Sequence, residues 1–270
     1  MINPIGIVQG RLSTPVKGAI QAFPKDNWRE EFPIASNIGL NAIEIIYDGP
    51  RNPLAKIDTA NEIINLAQDN NIEICSVSAD YSMYYPLYGK TAASSLKNII
   101  KIVNICGQMG IPRVGLSFED NSAILYKDQA AQAISNVIKI AEVANIYNIV
   151  LTIETSLSPT NTMEFISRVG YEKLKVNFDT GNSIANGENP KETILELNNN
   201  IGGIHIKDRK YLFGSTVTLG TGDVNFRDCF EAINQIEYDG TIVIQGARGE
   251  NDIETAKNYL KFIRMQMARI

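Results

Sequence analysis

The chain of 270 residues holds one histidine, His205, three cysteines and a single tryptophan, Trp28. Cys75, Cys106 and Cys229 are odd in number, far apart and set in apolar runs, with no C-x-x-C pair. That spacing gives no disulfide framework and no structural zinc pattern, and it suits reduced, buried thiols in a cytoplasmic protein. Positive charge is also short: 25 Lys+Arg against 30 Asp+Glu leave a formal net charge of -5, with no basic cluster. Counterion release from a duplex needs a concentrated cationic field, so nucleic-acid binding is not expected. No run approaches the roughly 18 apolar residues that cross a bilayer, so no membrane partner is expected either. Met1 to Gly10 contain no cationic stretch leading into a long apolar segment, so no secretory leader is expected.

The chain does have an ordinary 44% hydrophobic content, enough for a sizeable core, dealt out in short apolar runs. Strand-like runs are Ile5 to Val8, Ala42 to Ile46, Glu73 to Val77, Arg113 to Phe118, Ile149 to Glu154, Leu174 to Phe178, Gly203 to Ile206 and Thr241 to Gln245. They are rich in Ile and Val without strict alternation, as strands covered on both faces are. Between them lie segments of helical period: Trp28 to Ile38, Ile57 to Gln68, Ala92 to Met109, Asp128 to Tyr147, Thr162 to Arg168, Pro190 to Leu197, Phe226 to Ile236 and Asp252 to Met267. Gly39 and Gly110 supply stops, and Asn189 and Asn225 supply N-caps. Eight βα units in order, with no linker or composition break, predict an α/β protein forming a single (β/α)8 TIM barrel, one domain over residues 1–270. An open doubly wound sheet would carry a G-x-G-x-x-G turn after its first strand, and Gly6-Ile-Val-Gln-Gly10-Arg is not one.

Alternate residues of a barrel strand point inward. Ile153, Phe178, Ile204, Ile206 and Ile244 are apolar and should face the helices. Their neighbours Glu154, Asp179, His205 and Gln245 should then point inward near the C-terminal mouth, where barrel enzymes place their chemistry. Buried charge is costly unless paired or bound to a cation. Two carboxylates, an imidazole and an amide oxygen suit one divalent cation, Mn²⁺, Zn²⁺, Co²⁺ or Mg²⁺.

Several segments together resemble the xylose isomerase-like barrels, which include sugar and sugar-phosphate isomerases and epimerases, among them tagatose 3-epimerase and hydroxypyruvate isomerase. They are Ile-Glu-Thr (153 to 155), Asp-Thr-Gly-Asn (179 to 182), His-Ile-Lys-Asp-Arg (205 to 209), Leu-Gly-Thr-Gly-Asp-Val-Asn-Phe (219 to 226) and Tyr-Asp-Gly before the last strand. The resemblance implies one divalent cation held by Glu154, Asp179 and His205, with a fourth ligand at 245. Relatives have a second Glu there, and the two Glu residues exchange protons on opposite faces of the substrate. Gln245 can ligate a cation but cannot accept a proton, which puts two-base epimerisation in doubt. Asn182 stands where relatives often have a histidine. The endonuclease branch of the family is rejected, since its several zinc ions need several histidines.

The expected function is therefore metal-dependent isomerisation or epimerisation of a sugar, sugar phosphate or related hydroxy-carbonyl compound, with Glu154 as base. Lys207 and Glu119, the latter with Ser117 on its side, are candidates for a substitute second base. Arg11, Arg209 and Arg248 are candidates to clamp a phosphate or carboxylate. Glu44 and Asp48 are expected to orient hydroxyls or pair with Arg11. Trp28 and Tyr81, Tyr84, Tyr85 and Tyr88 offer an aromatic wall, with packing as the competing role for Trp28. Gly220 and Gly222 are expected to shape a loop, less so to cradle phosphate. Two alternatives stand beside this reading: a dehydratase acting on a keto-cyclitol or keto-acid, and a barrel that binds sugar without turnover because Gln245 replaces a base. The expected partner is a small sugar-type molecule, and a homo-oligomer is an allowed assembly.

Overall fold

The computed structural model describes residues 3–19 and 21–270. Eight parallel strands close into a barrel: β1 (Ile5–Val8), β2 (Ala42–Ile46), β3 (Glu73–Ala79), β4 (Arg113–Phe118), β5 (Val150–Thr155), β6 (Leu174–Asp179), β7 (Ile201–Ile206) and β10 (Ile242–Ile244). Each pairs with its sequence neighbours, and β10 closes the ring onto β1 through Ile5↔Ile242. Helices α1 (Trp28–Ile38), α2 (Ile57–Asp69), α4 (Ala92–Met109), α5 (Lys127–Ile146), α6 (Pro159–Val169), α8 (Pro190–Leu197), α9 (Phe226–Gln235) and α10 (Asp252–Met267) lie along the strands. Gly110 ends α4 with φ +71, a conformation that a side chain disfavours, and Ile111 then turns back toward the sheet.

The core is the layer between strands and helices. Ile153, Phe178, Ile204, Ile206 and Ile244 all belong to it, as the alternation predicts. Each fully buried aliphatic or aromatic side chain there contributes about 1.5–3 kcal/mol. A second, smaller cluster of Val8, Ala42, Ile46, Cys75 and Val243 fills the barrel interior. It leaves the rest of the interior to polar side chains.

Most differences from the sequence reading fall at element ends. Helix α6 starts at Pro159, three residues before the expected Thr162, because Ser158 caps it and proline occupies its first turn. Three short elements carry no periodic signal: α3 (Tyr81–Tyr84), α7 (Thr180–Ala185) and a hairpin of β8 (Asp208–Arg209) with β9 (Thr216–Val217). All three stand at the C-terminal mouth. No helix among the described residues is long and apolar enough to cross a membrane.

Candidate active site

Glu154 near the end of β5, Asp179 at the end of β6 and His205 in β7 converge, with one ligand-type atom from each within 4.8 Å of the others. Parity along each strand turns them inward. Asn177 has the same parity, two residues before Asp179, and its amide nitrogen donates to Glu154 Oε2 at 2.9 Å. The same nitrogen lies 3.1 Å from His205 Nδ1. A β carbon at Gly203 would stand 2.2 Å from Asn177 Oδ1, so only glycine admits this side chain.

The imidazole of His205 lies between two carboxylates. Nε2 is 2.9 Å from Glu44 Oε1, and Nδ1 is 3.3 Å from Glu154 Oε2. Burial disfavours charge on the ring, but Glu44 and Glu154 outweigh it and push His205 up to about 10. Burial likewise works against charge on Glu154, yet the hydrogen bond and charge of His205, with Lys207, bring it down to about 2. The expected pairing of Glu44 or Asp48 with Arg11 does not occur. Glu44 is committed to His205 and Ser76, and Asp48 accepts from Asn52.

Asp179 serves two purposes at once. Its Oδ1 accepts the Asn182 backbone N–H at 2.8 Å and caps α7, while Oδ2 takes Lys207 Nζ at 2.9 Å. The Asn182 amide donates to Glu154 Oε1 at 2.8 Å and accepts from Lys207 at 3.2 Å and Arg209 at 3.1 Å. Arg209 has no carboxylate partner among the described residues; its other hydrogen bond goes to the Gly214 carbonyl.

Gln245, just past β10, donates its amide nitrogen to Gln21 Oε1 at 3.2 Å. Gln21 in turn donates to Asp80 Oδ2 at 2.8 Å, and Ser78 donates to Asp80 Oδ1. The chain of donors runs one way, toward Asp80. It leaves Gln245 Oε1 buried without a hydrogen-bond partner among the described residues. Burial pushes Asp80 up to about 6, against the hydrogen bonds from Ser78 and Gln21.

Of the remaining candidates, Arg11 is buried, donating to Gly246 O and Gln21, and burial followed by repulsion from Arg248 lowers it to about 10. Arg248 acts as a clamp: it donates to the carbonyls of Gly10 and Ser13 and to Asp252 at 2.9 Å. From the other side Glu31 of α1 accepts from Gly10 N, Leu12 N and Ser13 Oγ, so the loop after β1 is gripped from both flanks. Glu119 has a buried Oε1 without a partner, and burial, with the charges of Glu154 and Asp179, pushes it up to about 8. Trp28 is core, packed against Phe23 and Phe32, and Tyr84 alone of the named aromatics lines the main cavity. Gly220 and Gly222 give their N–H groups to buried Asp208, which leaves no phosphate cradle there.

One cavity of about 650 Å³ joins these groups: Arg11, Glu44, Glu119, Glu154, Asn182, Lys207, Arg209, Gln245 and Arg248 all line it. Asn177 was readable from strand parity. Gln21 and Asp80 lie in loops and Glu31 inside a helix, so no pattern announced them. The donor set fits a divalent cation: Glu154, Asp179 and His205 are gathered, and Gln245, with its orphaned amide oxygen, lines the same cavity as Glu154.

Among curated proteins, the chain is 22% identical over 259 residues to the L-ribulose-5-phosphate 3-epimerase UlaE of Salmonella paratyphi A, covering 90% of each. It is 27% identical over 148 residues to the uncharacterized protein MJ1311 of Methanocaldococcus jannaschii, and there it spans 50% of that protein's length. Among solved structures it resembles D-psicose 3-epimerase from Clostridium cellulolyticum H10 (TM-score 0.74, 16% identity, 98% of this chain and 99% of that one). It also resembles a xylose isomerase-like TIM barrel protein from Mycobacterium smegmatis in complex with magnesium (TM-score 0.75, 17% identity, 99% of both). The family model for the xylose isomerase-like TIM barrel matches residues 32–265, and the chain belongs to that family.

Proposed function

We propose that the chain is a sugar isomerase or epimerase in which Glu154 moves a proton at a carbon beside a carbonyl. The carrying observation is the meeting of Glu154, Asp179 and His205, with Glu154 lining the same cavity as Gln245, whose amide oxygen has no partner among the described residues. Glu154, Asp179, His205 and the Gln245 amide oxygen would hold one divalent cation; the neighbouring structure in complex with magnesium supports the cation class. When bound, the cation supplies Lewis-acid stabilisation of negative charge developing on substrate oxygens.

Glu154 carries the base function because it is ionised and its oxygens are aimed by Asn177 and Asn182. The proton it takes can be returned to the adjacent carbon, which interconverts aldose and ketose with a single base. Position 245, separated from β5 around the barrel by β7 and β6, is where a second base would face the opposite side of a substrate. Gln245 cannot fill that role. Glu119 follows β4, next to β5, and so stands on the same side as Glu154; it keeps its proton at neutral pH and would donate it to a substrate oxygen. Lys207 stays paired with Asp179, with the role of holding that carboxylate in place.

The curated relative acts, by its name, on a sugar phosphate. Arg209, without a carboxylate partner on the cavity wall, suits a phosphorylated substrate. A second reading, loss of water from a keto-cyclitol or keto-acid, is favoured by the neutral Glu119 beside the Glu154 base. The test is a panel of aldoses, ketoses and their phosphates in D₂O with Mn²⁺. Solvent deuterium beside the carbonyl in a product of unchanged composition is expected. A product lacking water would favour the second reading, and no exchange with any compound would reduce the protein to a binder. His205→Ala should remove the metal; native mass spectrometry finding it retained would refute the site.

A further inference from the structure

Glu44 is buried, 3% exposed, and stands in the cavity wall against His205. Its Oε1 lies 2.9 Å from His205 Nε2, and its Oε2 accepts the Ser76 hydroxyl at 2.5 Å. Arg113, buried at the start of β4, donates to that hydroxyl at 3.2 Å and to the Gly202 carbonyl at 2.6 Å. Four neighbouring or facing strands thus meet at one carboxylate: Arg113 donates to Ser76, Ser76 donates to Glu44, and Glu44 faces the imidazole.

We propose that Glu44 is a positioning residue that keeps the proton of His205 on Nε2, so that Nδ1 is the nitrogen offered to the cation. The argument is one of donors and acceptors. An ionised carboxylate only accepts, so at 2.9 Å the imidazole is the donor to Glu44 Oε1; the other tautomer would set the Nε2 lone pair against a carboxylate. Nδ1 faces Glu154 Oε2 at 3.3 Å, while the Asn177 amide nitrogen lies near both ring nitrogens, 3.1 Å from Nδ1 and 3.3 Å from Nε2. Nδ1 is thus the nitrogen turned toward Glu154, and the one whose proton a cation would displace. A carboxylate behind a ligating imidazole fixes its ring and raises its basicity as a ligand. The inference rests on the metal reading above, and it assigns to Glu44 a task other than contact with substrate hydroxyls.

His205 being the only histidine, ¹⁵N-histidine labelling yields the spectrum of one imidazole. The experiment compares wild type, Glu44→Gln and Glu44→Ala, each metal-free and titrated with Zn²⁺. In the wild type, Nε2 should show a one-bond proton coupling in both states, and zinc should shift Nδ1. Glu44→Ala should mix the tautomers and weaken zinc about 10- to 100-fold, with Glu44→Gln in between because its amide oxygen still accepts. Zinc on Nε2 with the proton on Nδ1, or wild-type zinc affinity in Glu44→Ala, would overturn the proposal. The wild-type spectra decide the tautomer even if Glu44→Ala does not fold. If zinc shifts neither nitrogen in the wild type, the metal reading fails, and the Nε2 coupling of the metal-free protein then separately shows whether Glu44 holds the ring.

Discussion

Asn182 donates its side-chain N–H to Glu154 Oε1 at 2.8 Å while its oxygen accepts from Lys207 and Arg209. The amide therefore has one orientation: its nitrogen faces Glu154 and its oxygen faces Lys207 and Arg209. Replacing it by Leu, of similar size, leaves Glu154 one donor short and separates it from the two cations. The expected result is a fall in kcat of about 10- to 100-fold with a smaller change in metal affinity. Steady-state kinetics on the substrate identified in the D₂O panel, beside calorimetric metal titration, would check it. An unchanged kcat would remove Asn182 from the working site.

The one-way donor chain from Gln245 through Gln21 to Asp80 is matched to an amide at 245. A glutamate there has no N–H for Gln21. Were Gln21 to turn its amide round to donate to the new carboxylate, its carbonyl would confront Asp80. Gln245→Glu should therefore destabilise the metal-free protein by about 2 kcal/mol, the cost of a buried polar group left unpaired. Asp80→Asn lets the chain run the other way, so the double variant should recover much of that loss. Urea denaturation of the two single variants and the double closes the cycle. Additive losses would show that the polarity of the chain plays no part.

Asp80 also makes stability depend on pH. It keeps its proton up to about 6 in the folded protein, as burial requires, but only up to about 4 in the unfolded chain. Between those values the folded state binds more protons. Stability contributed by this group is therefore present at the acid end and is lost as pH rises through the window, then levels off above it. The loss is on the order of 3 kcal/mol at most. Denaturation midpoints of wild type minus those of Asp80→Asn, taken from pH 4 to pH 7, should show this slope; a flat difference would contradict it.

Arg248 lines the cavity, yet it donates to the carbonyls of Gly10 and Ser13 and to Asp252. Arg248→Met should cost about 1–3 kcal/mol of stability, because two loop carbonyls lose their donor. KM for a phosphorylated substrate should move less than in Arg209→Met. The opposite ranking of the two KM values would return Arg248 to substrate binding.

The eight strands and eight long helices were legible because burial on both faces demands apolar runs, and because helices covering a barrel need an apolar stripe. Strand parity also told which side chains turn inward, which is why Glu154, Asp179 and His205 could be grouped from 51 residues apart (154 to 205). Lys207 shares that parity, but its pairing with Asp179 depends on the lengths and angles of two side chains. Such pairings leave no mark in the order of residues.

The primary sequence, then, determined the barrel and the inward turn of Glu154, Asp179 and His205, since periodicity and parity are properties of the chain itself. Folding alone decided who answers whom: Glu44 under His205, Gln21 between Asp80 and Gln245, and Glu31 opposite Arg248 on one loop. Each of those relations joins distant segments through one or two hydrogen bonds. Their direction is set by donors and acceptors meeting in space, and no local pattern encodes that.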